Sequence, residues 1–78
     1  MAPEAVYNVP SNEIYTFQGR IIHSFKAVRN MKLDGTEFVE DCYVLLYVDN
    51  AIIRLGVHMG MSAREFLETY NIIYMRIE

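Results

Sequence analysis

The stretch from Asp41 to Tyr70, DCYVLLYVDNAIIRLGVHMGMSAREFLETY, contains the patterns that decide the fold. Two runs rich in valine, leucine, isoleucine and tyrosine flank Asp49 and Asn50. These two residue types favour tight turns, so the runs predict the two strands of a hairpin. The resulting register brings apolar residues together in four cross-strand pairs: Val48 with Ala51, Leu46 with Ile53, Val44 with Leu55, and Cys42 with Val57.

A helix is predicted directly after this hairpin. The Ser62 side chain can accept a hydrogen bond from the Glu65 amide while the Glu65 side chain reaches back to the Ser62 amide, which is the pattern of a capping box. Apolar residues then follow at spacings of three and four: Ala63, Phe66, Leu67 and Tyr70. Asn71 is a residue type that ends helices. One face of this helix therefore has to be covered by a sheet.

Upstream, Asp34 and Gly35 predict a second hairpin. Its register aligns three cross-strand pairs, two of them oppositely charged: Leu33 with Thr36, Lys32 with Glu37, and Arg29 with Glu40. The two hairpins would share one strand from Glu37 to Val48. Residues 72–77 form a last strand, which we expect to run parallel to the strand that ends at His58.

Alternation of side chains divides the predicted sheet into two faces. The face that the helix covers collects Ile21, Phe25, Ala27, Cys42, Val44, Leu46, Ile53, Leu55 and Val57. The opposite face collects Ile22, Ser24, Lys26, Tyr43, Leu45, Tyr47, Ile52 and Arg54, with Asp41 across from His58. The sequence thus predicts an α+β fold, a mainly antiparallel sheet of about four strands with one helix packed on one face.

Length and composition predict one small folded domain. The chain has 78 residues, of which 53% are hydrophobic and 13% aromatic, far above the levels of disordered segments. We place this domain at residues 13–78. Residues 1–12 carry both prolines and show no periodicity, so we interpret them as an N-terminal arm, with disorder as one alternative.

Charge and cysteine content narrow the function classes. The net charge of −3 disfavours binding to phosphate backbones and suits a basic partner surface. The sequence shows neither a run of about 20 apolar residues nor a secretory signal pattern. Because Cys42 is the single cysteine, a disulfide framework is excluded. We therefore expect a cytoplasmic protein that binds neither a membrane nor nucleic acid.

The sequence does not suggest an enzyme. His23 and His58 are the only histidines, and neither belongs to a metal-binding or nucleophile motif. Asp41 and His58 could act as an orienting acid and a base, but without a nucleophile beside them a structural role is favoured. We expect neither a metal nor another cofactor. Phe66 and Tyr70 have two interpretations that the sequence leaves open, since they either pack in the core or wall a pocket for an apolar side chain of a partner.

The residues Asp41, Leu45, Leu46, Asp49, His58, Gly60, Ser62, Phe66 and Tyr70 resemble, in order and spacing, the small uracil-DNA glycosylase inhibitors of Bacillus phages. The resemblance covers thirty residues without a gap. It implies a homodimeric DNA mimic that occupies the DNA-binding cleft of the glycosylase, in the cytoplasm of an infected bacterium. It also implies that Phe66 and Tyr70 help to enclose the apolar residue that the enzyme inserts into DNA.

The predicted site follows from this resemblance. Its pocket residues are Phe66, Tyr70, Leu67 and Met61. Its acidic or polar contacts are Asp41, Asp49, His58, Glu65 and Glu68. The chain departs from the family in two ways, because residues 1–40 have no counterpart there and a functional strand glutamate of the family falls on Gly56.

Two alternatives belong to other functional classes. Lys26, Tyr43, Tyr47 and Arg54 share one predicted face, which could bind single-stranded nucleic acid by stacking. A small dimeric regulatory or structural subunit, whose apolar face pairs with its twin, would explain the same composition.

Overall fold

The computed structural model describes residues 5–27, 37–38 and 41–78. This part of the chain has an α+β fold with one helix and an open antiparallel sheet of six strands, two more than the four or so expected. In chain order the elements are β1 (Ala5–Asn8), β2 (Glu13–Phe17), β3 (Arg20–Ala27), β4 (Cys42–Val48), β5 (Ala51–Val57), α1 (Ala63–Thr69) and β6 (Ile73–Arg76).

The longest strand, β3, lies at the centre of the sheet. The strand order is β5-β4-β3-β2-β6, and β1 also pairs with β3. One end of β3 pairs with β2 through Arg20 and Ile21, whereas residues 24–27 pair with β1. Two short strands from the N-terminal part of the chain therefore pair with β3 in addition to β4.

The hairpin of β4 and β5 has the predicted register. All four expected pairs form: Val48 with Ala51, Leu46 with Ile53, Val44 with Leu55, and Cys42 with Val57. The turn between the strands needs a residue in the left-handed region, and Asn50 provides it with φ 58°. Local turn chemistry and the apolar pattern agree here, so the register is confirmed.

The prediction of which side chains at the start of β3 face the core is wrong. Ile22 is buried, whereas Ile21 is 51% exposed, the reverse of what strict alternation implied. The pairing of β3 with β4 shifts register between Ile22 and Ser24. Such an irregularity adds one residue to a strand, so Ile22 and Phe25, three positions apart, both face the core.

Residues 5–8, which we assigned to an N-terminal arm, form β1 instead. Tyr7 pairs with Phe25 and Asn8 with Ser24, and the Val9 amide extends the ladder to the His23 carbonyl at 3.0 Å. Pro10 lies after the strand, where its missing N–H interrupts no ladder bond. Residues 1–4 lie outside the described residues.

The last strand runs antiparallel to β2, so the prediction of a parallel neighbour of β5 is wrong. Asn71, with φ 55°, ends the helix in the left-handed conformation, as predicted. The Asn71 amide then bonds the Glu68 carbonyl at 3.2 Å, and the Ile72 amide bonds the Leu67 carbonyl at 2.9 Å. This Schellman turn, together with the burial of Ile72, directs β6 to the free edge of β2.

The strand predicted from Glu37 is shorter than expected. β4 begins at Cys42, and the Phe38 backbone instead bonds the turn before the helix, to the Met61 carbonyl at 2.8 Å and from the Gly60 amide at 2.9 Å. The hairpin predicted at Asp34 and Gly35 falls outside the described residues.

Helix α1 packs on one face of the sheet, as predicted. Among the described residues the core consists of Phe17, Ile22, Phe25, Ala27, Phe38, Val44, Leu46, Val48, Val57, Met61, Phe66 and Ile72. Phe66 is the helical residue at its centre and is fully buried. The described chain includes no helix whose length and apolar character suffice to span a membrane.

Candidate functional site

A partly open apolar cavity of about 160 Å³ lies between α1 and the sheet. Its walls are Tyr7, Tyr15, Phe25, Ala63, Phe66 and Leu67. The helix contributes three of these residues because Ala63, Phe66 and Leu67 are spaced to share one face. The other three come from β1, β2 and β3, whose side chains point toward the same helix.

Aromatic rings form the strand side of the cavity. The Tyr15 ring meets the Phe25 ring edge to face, with centroids 5.2 Å apart, and it meets Tyr7 in the same way at 6.1 Å. On its other side Tyr15 contacts the Tyr74 ring at 4.8 Å. Such pairs favour fixed ring orientations, so these walls are built from mutually supporting rings.

The carboxylate of Glu13 joins three strands beside this cavity. It accepts hydrogen bonds from the Tyr7 hydroxyl and, at 3.1 Å, from the Tyr74 hydroxyl. Glu13 lies on β2, Tyr7 on β1 and Tyr74 on β6. This carboxylate therefore connects strands that are far apart in the sequence.

Hydrogen bonding and desolvation raise the pKa values of the three phenols. The bond to Glu13 is the main reason why the pKa of Tyr7 lies well above its ordinary value, followed by burial. Burial is the main cause of the raised pKa of Tyr15. For Tyr74, desolvation and then the bond to Glu13 raise the pKa. Each phenol stays neutral at physiological pH and can donate its hydrogen.

The predicted pocket residues separate into two groups. Phe66 and Leu67 line the cavity, whereas Met61 and Tyr70 are not among its walls. Met61 is buried in the core, and Tyr70 packs its ring on Phe66 at 5.4 Å. The Tyr70 hydroxyl donates to the Gly56 carbonyl at 2.7 Å, so it fixes the helix to β5.

Phe66 is a core residue whose ring also borders the cavity, and its role in holding a side chain of a partner stays a prediction. Its ring is fully buried and also packs edge-on against Phe38 at 6.3 Å, as a core residue does. One part of the same ring forms a wall of the cavity. A core role and a pocket role therefore coexist in one side chain.

The start of the helix brings together three of the predicted polar residues. The Ser62 hydroxyl accepts from the Glu65 amide at 3.0 Å, which confirms this half of the predicted capping box. The Asp41 carboxylate accepts from the Met59 amide at 2.7 Å. His58 Nε2 lies 3.8 Å from the Glu65 carboxylate. Asp41, His58 and Glu65 are thus grouped around one turn.

The other two predicted acidic residues lie elsewhere. Glu68 forms an exposed ion pair with Arg64, with nitrogen and oxygen 3.5 Å apart. Asp49 lies at the opposite end of β4 from Asp41, where its carboxylate contacts His23 Nε2 at 2.6 Å. A seven-residue strand separates these ends by about 23 Å. The acidic residues therefore form separate points and not one cluster.

The sheet face opposite the helix carries aromatic and basic side chains. The Arg54 guanidinium lies over the Tyr43 ring, 5.0 Å from its centroid. Ile52 on the same face is 60% exposed. Strand β6 also exposes apolar side chains, with Ile73 at 63% and Met75 at 58%. Both surfaces therefore expose apolar side chains that a partner could contact.

Sequence reasoning missed the strand side of the cavity. The alternation of Glu13, Tyr15 and Phe17 before the Gln18-Gly19 turn is a hairpin signal that could have revealed Tyr15. Gln18 and Gly19 both adopt positive φ, at 51° and 80°, as such a turn requires. The contributions of Tyr7 and Tyr74 depend on pairings between distant strands, which no local pattern indicates.

Comparison with protein-family models, with curated proteins and with solved structures gave no match to this chain. In the described part of the chain, histidine, cysteine, aspartate and glutamate side chains do not form a group of three or more that could hold a metal ion.

Proposed function

We propose that this protein inhibits a bacterial uracil-DNA glycosylase by mimicking DNA and that it is not itself an enzyme. The observation that carries the proposal is the placement of Phe66 and Leu67, on the capped helix α1, in the wall of a mostly apolar cavity. Exposed carboxylates lie near the same helix. This arrangement provides the apolar receptacle and the negative charge that a mimic requires.

The carboxylates would act through charge and not through catalysis. Asp41, Glu65 and Glu68 are exposed around α1, and the chain carries a net charge of −3. Negative groups accelerate the approach to a basic DNA-binding cleft and take the places of phosphates there. Each of these carboxylates is oriented by a group of its own chain, which reduces the ordering needed on binding.

The cavity would receive the apolar residue that the glycosylase normally inserts into DNA. Its volume of about 160 Å³ accommodates a branched aliphatic side chain. Binding would remove both the inserted side chain and the cavity walls from contact with water, which favours the complex. Well-packed apolar contacts of this kind contribute most of the binding energy in many interfaces.

We further propose that the protein acts as a homodimer through the exposed edge of β6. An antiparallel pairing centred on Met75 would bring Ile73 of one protomer opposite Ile77 of its partner, and Tyr74 opposite Arg76. These are apolar and cation–π pairs, so the edge is complementary to itself. Light scattering should report about twice the 9.1 kDa chain mass, and a monomer mass at micromolar concentration would contradict the dimer.

Uracil excision provides the test of inhibition. A small molar excess of the protein should stop excision from DNA by a bacterial family-1 glycosylase, and heat-denatured protein serves as the control. Undiminished excision in the presence of folded protein would refute the proposal.

A second candidate function, binding of single-stranded nucleic acid, is favoured by the stacking of Arg54 on Tyr43 in the open sheet face. The net negative charge opposes it. At low salt a stacking protein shifts labelled single-stranded DNA in a gel, whereas a DNA mimic does not, so the same sample separates the two functions.

A further inference from the structure

The walls of the cavity between α1 and the sheet select for an uncharged ligand. The Tyr7 hydroxyl is engaged by Glu13, the side chains of Phe25, Ala63, Phe66 and Leu67 offer only carbon atoms, and Tyr15 adds one neutral hydroxyl. Among the described residues, every buried side-chain nitrogen and oxygen has a hydrogen-bond partner. A charged ligand would lose part of its hydration and would find no charged side chain among these walls.

The size of the cavity defines the ligand further. An enclosed apolar cavity of about 150 Å³ in an engineered protein core takes up benzene, and the partly open cavity here has a similar volume of about 160 Å³. Because the cavity opens partly to solvent, a ligand of this size can enter it from outside and contact Phe66.

We propose that this cavity is a binding site for a small uncharged aromatic molecule of about the size of benzene, with Tyr7 as a wall that Glu13 holds in place. The edges and faces of Tyr15, Phe25 and Phe66 border the space, and aromatic rings prefer such edge-to-face and offset contacts. The site uses the cavity of the proposed inhibitor. It is tested on the free protein, so the outcome does not depend on inhibition.

Toluene is the probe for this site. Titrated into isotope-labelled protein, it should cause saturable NMR shift changes that are largest at the methyl groups of Ala63 and Leu67. Ala63→Leu fills the cavity from the helix and should weaken toluene binding by at least about tenfold. Thr69→Leu adds similar bulk on the exposed part of the same helix and should leave the affinity within about twofold.

The melting temperature of each variant shows whether it is folded, and Leu67→Phe serves as a second filling variant if Ala63→Leu does not fold. N-acetyl-leucinamide, titrated in parallel, presents the same apolar chemistry as a protein side chain. Saturation by toluene with weaker binding of the leucine derivative supports the proposal. Tighter binding of the leucine derivative, shift changes confined to β6 or the open sheet face, or unchanged toluene binding by the filled variants would overturn it.

Discussion

The β4–β5 hairpin with its helix and the strands β1, β2 and β6 are stabilised in different ways. The hairpin and α1 contribute Val44, Leu46 and Phe66, which are completely buried. The other three strands meet through hydrogen-bonded tyrosines around Glu13 and leave the cavity beside them. The hairpin and helix thus contribute completely buried apolar side chains to the core, whereas the N-terminal strands shape the space in which a ligand can bind.

The largest effect should come from Phe66→Ala. Removing this fully buried ring merges its volume with the cavity and should cost about 3–5 kcal/mol of unfolding free energy. Denaturant unfolding measures the loss, and Thr69→Ala on the exposed helix surface is the control. A loss below about 1 kcal/mol would show that Phe66 is only a wall and not a core residue.

A smaller effect should separate the two regions through their tyrosines. Tyr7→Phe removes a hydrogen bond to a carboxylate and should cost about 1.5–3 kcal/mol, whereas Tyr70→Phe removes one to a backbone carbonyl and should cost about 0.5–1.5 kcal/mol. Both variants keep their rings, so thermal and denaturant unfolding report the hydroxyl alone. Equal losses would contradict the special role that we assign to Glu13.

The smallest effect concerns alkaline pH. The pKa values of Tyr7, Tyr15 and Tyr74 are raised in the folded state, so these phenols keep their protons where the unfolded chain, with ordinary values of about 10, loses them. The resulting stabilisation is complete below about pH 10 and is lost as the pH rises further. Unfolding curves at increasing pH should show this decline, and Tyr7→Phe should reduce it. A decline of the same size in Tyr7→Phe would contradict the assignment.

The β4–β5 hairpin and α1 could be predicted because their sequence signals are local. The Ser62 cap, the Asn71 terminus and the four pairs of the β4–β5 hairpin follow from residues close in sequence, and the structure confirms each of them. The arrangement of β1 and β6 could not be predicted, since strand pairing over long sequence distances leaves no periodic signature. The register shift near Ile22 could not be predicted from alternation either. One added residue moves every side chain before it to the opposite face of the sheet.

The residues of the candidate site also divide into those that could be predicted from the sequence and those that could not. The resemblance predicts Phe66 and Leu67 as pocket residues, while Tyr7, Tyr15 and Phe25 become cavity walls only when three strands meet. The roles of Asp41, Asp49, His58, Glu65 and Glu68 as partner contacts remain predictions. So do those of Met61 and Tyr70, which the structure places beside the cavity walls.

Calorimetric titration tests most directly whether this protein is a DNA mimic. The protein is titrated into a bacterial uracil-DNA glycosylase, with and without saturating DNA in the enzyme's cleft. If the protein mimics DNA, it should bind the free enzyme saturably, and salt should weaken this binding. The binding should be lost when DNA occupies the cleft. Absence of binding to the free enzyme, or binding that DNA leaves unchanged, would contradict it.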